Sequence, residues 1–213
     1  MINSFTTLTA SIALSSGIVL ASIGQARAIS LSFSGSLATD DDVSLFNFTV
    51  SDRSQVTIET LSYGGGTLND GTELDAGGFD PILSLFDSSG SFINFNDDSG
   101  FGQPDPVTGG ASDAGLRPIL DPGNYTVAIT QFGNFFNFSP SLTGNLSDGF
   151  SQQGQPNFTS IFGCDAGQFC DTNADSRTNK WVTKVQVPEP SSIMASGLLL
   201  GLILAARKKR QQS

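Results

Sequence analysis

Histidine is absent from all 213 residues of the chain. Its absence removes Ser-His-Asp and Cys-His nucleophilic systems, and with them every metal site built on imidazole. Positive charge is scarce: ten Lys and Arg stand against twenty Asp and Glu, a net charge of −10 at pH 7. Residues 29–187 hold only Arg53, Arg117, Arg177, Lys180 and Lys184 against nineteen acidic groups, which leaves fourteen net negative charges. A body of that sign repels nucleic acid phosphates and suits cations or neutral glycans, so nucleic acid is excluded as a partner. Two cysteines without histidine are too few for a closed zinc site. The middle of the chain also lacks helical periodicity. Seventeen Phe against one Trp and two Tyr indicate a core packed with Phe. Frequent Gly, Asn, Ser and Asp favour turns and short strands.

Long runs that are both apolar and uncharged occur only at the two ends. Leu8 to Ile23 carries no charge and leads to the small-residue pattern Ala26-Arg27-Ala28. This is the form of a secretory signal cut after Ala28, handled by the Sec translocon and signal peptidase. Met1–Thr7 has no Lys or Arg, and an uncleaved anchor is the alternative. At the other end, Val187-Pro188-Glu189-Pro190 precedes an uncharged stretch, Ser191–Ala206, and then Arg207-Lys208-Lys209-Arg210. As a helix the stretch spans roughly 24 Å, a little short of a ~30 Å hydrocarbon layer, which local thinning absorbs. The positive-inside rule keeps the four basic residues cytoplasmic as a stop, so the body is expected outside the inner membrane. The expected division is a signal peptide over 1–28, an ectodomain over 29–187 and a tail over 188–213. A lipid-anchor signal would end in its apolar run, unlike this tail.

Within the body the hydrophobic pattern has period two. Phe46, Phe48 and Val50 alternate with Leu45, Asn47 and Thr49, so the two sets project to opposite faces of a strand. Leu83–Phe86 and Phe92–Phe95 flank Asp87-Ser88-Ser89-Gly90 and read as a hairpin. Asp121-Pro122-Gly123-Asn124 reads as a turn into Tyr125, Val127 and Ile129, and a last strand runs from Trp181 to Val187. Residues 134–177 read as an elaborated loop region with short strands. The expected fold is all-β: an antiparallel β-sandwich, jelly-roll-like.

Carboxylates are the reactive groups present in quantity. Asp80, Asp97 and Asp98 fall at the open end of the predicted hairpin, while Asp87 sits at its turn. A hard cation such as calcium takes six to eight oxygens, which Asp and turn carbonyls supply; the alternative is solvated turn residues. Asp171-Thr172-Asn173-Ala174-Asp175 imitates the start of an EF-hand loop. Ser176 and Val182 stand where that loop needs Gly and Glu. Paired carboxylates also serve glycoside hydrolases, but nothing in the sequence selects a pair. Cys164 and Cys170 are expected to form a disulfide in an exported chain. Phe135, Phe136 and Phe138 are expected to pack at the sandwich edge, with stacking on sugars as the alternative.

Pro188-Glu189-Pro190, the short apolar segment and Arg207–Arg210 together resemble the PEP-CTERM sorting signal. That resemblance implies that Pro188, Glu189 and Pro190 are recognised by exosortase, a membrane-embedded cysteine transpeptidase-like enzyme of bacteria that secrete exopolysaccharide. A second resemblance rests on Phe46–Val50, Asp80–Asp87 with Gly90, Asn96-Asp97-Asp98 and Pro122–Val127. These are similar to bacterial pre-peptidase C-terminal domains and related DVUA-type ectodomains, which are non-catalytic accessories, some binding calcium or extracellular polymers. The expected function is that of an exported, non-catalytic protein of the cell surface or exopolysaccharide matrix, tethered briefly to the inner membrane. A calcium- or glycan-binding module is the alternative, and a carboxylate glycoside hydrolase a remote one.

Overall fold

The computed structural model describes residues 28–99 and 102–189. The strands in chain order are β1 (Ala28–Ser36), β2 (Ser44–Val50), β3 (Ser54–Gln55), β4 (Thr57–Thr60), β5 (Gly66–Thr67), β6 (Glu73–Leu74) and β7 (Pro81–Phe86). They continue as β8 (Phe92–Asn96), β9 (Gly115–Leu116), β10 (Ile119–Leu120), β11 (Gly123–Gln131), β12 (Phe169–Cys170), β13 (Ser176–Arg177) and β14 (Lys180–Pro188). Two antiparallel four-stranded sheets, β1-β14-β4-β9 and β2-β11-β7-β8, form the sandwich. Two short 3-10 helices, at Leu146–Asp148 and Phe158–Phe162, are the helical pieces among the described residues.

The period-two pattern decides what lies between the sheets. Phe46, Phe48 and Val50 of β2, Leu83 and Leu85 of β7, and Tyr125, Val127 and Ile129 of β11 meet Ile58, Trp181, Val185 and Val187 from the opposite sheet. Each fully buried side chain of this kind stabilises the fold by roughly 1.5–3 kcal/mol. Phe33 of β1 closes one edge by stacking on Phe46 with ring centroids 4.2 Å apart. Tyr125 donates its hydroxyl to the Asp121 carbonyl at 2.7 Å and so fixes the entry to β11. Gly35 is needed where it stands, because a Cβ there would lie 2.8 Å from the Trp181 ring.

Strand β7 is buried over all six residues. Its second face, with Ala128, packs under Phe136 and Phe150 in a smaller core. The elaborated region therefore acts as a cover for the outer face of one sheet, and Phe92, Phe95 and Phe138 stack beside it. Burial on both faces explains the near-continuous apolar run Pro81-Ile82-Leu83-Ser84-Leu85-Phe86. The strand expected from Trp181 to Val187 is one residue longer at each end. The expected turn Asp121–Asn124 is shorter, because Gly123 already pairs with Val50.

Candidate functional site

The β7–β8 hairpin brings three acidic residues together. Asp80 lies three residues before Leu83, which pairs with Asn96, and Asp97 and Asp98 follow Asn96 directly. One carboxylate oxygen from each of Asp80, Asp97 and Asp98 lies within 4.8 Å of the others. Asp80 is buried, at 7 % exposure, Asp97 is half-buried and Asp98 is exposed. The Oδ1 atoms of Asp80 and Asp97 are both buried without a hydrogen-bond partner. Burial, then the charges of Asp97, Asp98 and Asp171, push the Asp80 carboxyl up to about 8, against a smaller pull from Arg177. Burial and then Asp98 raise Asp97 to about 6. Across the ladder, Gln131 pairs with Pro81 and keeps its Oε1 buried and unpartnered, while its Nε2 donates to the Cys170 carbonyl at 3.4 Å.

Most other buried carboxylates are occupied; Asp41 accepts the Gly154 amide on Oδ2 at 2.9 Å but leaves its Oδ1 without a donor. Asp113, fully buried, accepts from Thr60 Oγ1 at 2.8 Å and from the amides of Ser62, Tyr63 and Gly64. Asp40 accepts from the amides of Asn157 and Thr159 and from the Thr159 hydroxyl. Asp105 and Asp171 flank Arg177 at 2.5 and 3.4 Å, and the guanidinium lies 3.6 Å over the Tyr63 ring. The Tyr63 hydroxyl completes this buried knot by donating to Asp171 at 3.0 Å. Burial works against the charge of Asp105, but the Val107 amide and Arg177 hold its carboxyl below the usual range. Asp171 also accepts from the amides of Asn173 and Asp175, so the EF-hand-like loop is a closed turn. Asp87 is spent on its own turn, accepting from Ser89 and Ser91.

Among the described residues, the trio at the open end is the group of three carboxylates close enough to share a cation, and within it the Oδ1 atoms of Asp80 and Asp97 have no donor. A buried carboxylate without a donor is strongly disfavoured unless a charge compensates it. The one cation acting on Asp80, Arg177, is already shared by Asp105 and Asp171. Oxygen-only groups of this kind fit a hard divalent cation such as calcium in donor type and charge. The sequence pointed to the three aspartates. It gave no signal for Gln131 or for the Arg177 knot, whose members come from four separate loops and strands.

Two further groups complete the inventory. Cys164 and Cys170 are joined in a disulfide that closes a loop beside β12. Phe136 is buried, and Phe135 and Phe138 are partly covered through ring contacts with Phe95, Phe92 and Phe132. A cleft of about 380 Å³, lined among others by Glu73, Asp75, Lys180 and Trp181, shares no residue with the acidic trio.

At the C-terminal end of the sandwich, β14 carries the chain into Pro188, with Glu189 following. Pro190, the apolar segment and the basic stop Arg207, Lys208, Lys209 and Arg210 lie outside the described residues, as do residues 1–27 of the signal. Among the described residues no helix is long and apolar enough to cross a membrane.

The family model of the PEP-CTERM protein-sorting motif matches residues 186–210. No curated protein matches the chain. Among solved structures, the pre-peptidase C-terminal domain of a collagenase from Bacillus anthracis is similar at 10 % identity. That likeness covers 76 % of this chain and 90 % of that one, with a TM-score of 0.34. The chain thus carries a PEP-CTERM sorting motif, the mark of an exported protein whose membrane-anchored precursor is processed by exosortase.

Proposed function

We propose that this protein is a non-catalytic component of the cell surface or exopolysaccharide matrix, and that its sandwich is completed by calcium held by Asp80, Asp97 and Asp98. The sorting motif at residues 186–210 supports the first half of that reading. Replacing Glu189 with Ala, or deleting Arg207–Arg210, then traps full-length precursor in the membrane fraction. Normal processing and export of both variants would end the sorting assignment.

The second half rests on one observation: Asp80 Oδ1 is buried without a donor beside two further carboxylates. A bound cation neutralises the trio and ties the start of β7 to the end of β8. Its chemistry is structural, charge compensation between two strands. A ligand that binds only the folded state at a hundred times its Kd stabilises that state by about 2.7 kcal/mol. For a domain of this size that is an upward shift in Tm of about 5–10 °C. A melting curve with millimolar calcium superimposing on one with chelator would exclude the site. The association with exopolysaccharide is read out by co-sedimentation of the mature protein with matrix polymer, with and without calcium.

A further inference from the structure

The two sides of the sandwich are finished differently. On one side the sheets end in β9, two residues long, and in β8, whose ladder slips between Leu85 and Phe86. Residues 144–146 also cover the start of β8, with the Phe92 amide on the Gly144 carbonyl and the Leu146 amide on the Gly90 carbonyl. Short strands, irregular ladders and covering loops are ordinary ways to keep one sheet edge from joining another. On the other side the sheets end in β1 and β2, nine and seven residues long, and the Phe33–Phe46 stack sets these two edges side by side. Neither strand contains proline or a charged residue, and neither ladder is interrupted.

The register of β1 decides which backbone groups are free. The Leu37 amide donates to the Asn179 carbonyl, and pairing runs without a break to Ile29, opposite Val187. Hydrogen-bonded pairs alternate along an antiparallel ladder, so Ile29, Leu31, Phe33 and Gly35 turn their N–H and C=O groups to β14, and Ser30, Ser32 and Ser34 turn theirs away. The far side of β14 agrees, because the Leu61 amide donates to the Val182 carbonyl and leaves Trp181 and Thr183 to serve β1. Among the described residues no strand pairs with the outward groups of Ser30, Ser32 and Ser34. The core-facing row is also unfinished here. Leu31 and Phe33 are only half-buried and Ile29 is 46 % exposed, whereas Trp181, Thr183, Val185 and Val187 on β14 are at most 5 % exposed.

We propose that β1 pairs with β1 of a second copy, antiparallel about a two-fold axis through Ser32, joining two four-stranded sheets into one. The strand complements itself in this register. Ser32 meets Ser32, and Ser30 meets Ser34 in both directions, each pair exchanging two backbone hydrogen bonds. On the core side Leu31 of each copy comes opposite Phe33 of the other, and Ile29 opposite Gly35, which has no side chain to obstruct it. A two-fold interface requires this reciprocity. Charge selects the same edge: in a body with fourteen net negative charges, β1 has no charged residue to set like against like across the seam. The seam uses residues 29–35, so it stands or falls apart from the cation site and from the processing of either end of the chain.

The test uses the protein as the cell exports it. Sedimentation is followed from about 5 to 500 μM, because one strand pair makes a seam smaller than the ~1,600 Å² of a standard stable interface. Wild type is expected to pass from monomer to dimer over that range. Where nine-tenths is dimer, amide exchange at Ser30, Ser32 and Ser34 should be about tenfold slower than in dilute protein, while Leu31 and Phe33, already bonded to β14, change little. Ser32→Pro removes an N–H that its own chain does not use, and should abolish the dimer without altering the far-ultraviolet spectrum. Ser32→Lys leaves the backbone untouched, sets two like charges face to face and should weaken the dimer about fivefold. On oxidation, Ser32→Cys should cross-link two copies and Ser30→Cys should not, being about 13 Å from its counterpart; Ser30→Cys with Ser34→Cys should cross-link again. A monomer throughout the range overturns the inference. So does a dimer that both Ser32→Pro and Ser32→Lys leave intact, or a cross-link through Ser30→Cys alone.

Discussion

Exchanging Asp80 for Asn tests the cation site through its cost to the empty protein. In the folded chain burial and neighbouring charges hold the Asp80 carboxyl at about 8, whereas its ordinary value is 3.8. The folded state therefore binds more protons than the unfolded state between those values, and stability falls as pH rises through that window. At about 1.4 kcal/mol per unit, the loss between pH 5 and pH 8.5 is at most about 4 kcal/mol. For a domain of this length that is a drop in Tm of roughly 8–16 °C. Asp97, raised to about 6 by burial and then by Asp98, loses stability in the same direction between pH 5 and 6, and that loss adds to the Asp80 figure. The assay is a set of melting curves at pH 5.0, 7.0 and 8.5 in chelator and in millimolar calcium. Wild type should lose stability with rising pH in chelator and regain it with calcium at pH 8.5. Asp80→Asn removes the buried charge while keeping the shape, so it should be the more stable protein at pH 8.5 in chelator, nearly flat between pH 7.0 and 8.5 and indifferent to calcium. A chelated wild type whose Tm is unchanged between pH 5 and 8.5 refutes the reasoning, whatever calcium does.

Three other substitutions or treatments probe the frame around that site. Arg177→Met leaves Asp105 and Asp171 buried without a counter-charge and should cost about 3–5 kcal/mol in urea titrations; less than 1 kcal/mol would mean the knot is hydrated in solution. Gly35→Ala places a methyl group 2.8 Å from the Trp181 ring and should cost about 1–3 kcal/mol, with a change in tryptophan fluorescence. Reduction of Cys164–Cys170, whose sequence separation is six, should lower stability by only about 2 kcal/mol by loop entropy and leave the far-ultraviolet spectrum intact; global unfolding on reduction would contradict that.

The parts of this fold that the sequence made legible are those where local pattern and tertiary need agree. Phe46, Phe48 and Val50 alternate because one face of β2 meets the opposite sheet. Asp87 to Gly90 turns because Asp87 satisfies the amides of Ser89 and Ser91. Once that hairpin is placed, the meeting of Asp80 with Asp97 and Asp98 follows from strand length alone. The pattern failed where burial is supplied from a distance. β7 shows no clean alternation, because residues 136–150 cover its second face. Arg177 sits in a polar stretch that reads as solvent-facing, yet its side chain is 4 % exposed and its partner Asp105 is 72 residues away.

That failure bears on how acidic clusters in such chains should be read. Nineteen acidic residues in the body look like a uniformly solvated surface when only composition is weighed. The structure sorts them by donor. Asp113, Asp40 and Asp87 replace missing backbone partners, and Asp105 and Asp171 neutralise one guanidinium. A carboxylate in the first group stabilises because amide hydrogens converge on it, and it needs no ion. Asp80 differs from these: it is buried beside two further carboxylates, and its Oδ1 receives no donor, unlike the oxygens of Asp40, Asp105 and Asp171. The cost of that arrangement must be met by a proton or by a metal. Which of the two meets it depends on the medium, and the pH and calcium series decides between them because a proton leaves as pH rises while a bound cation is held more tightly.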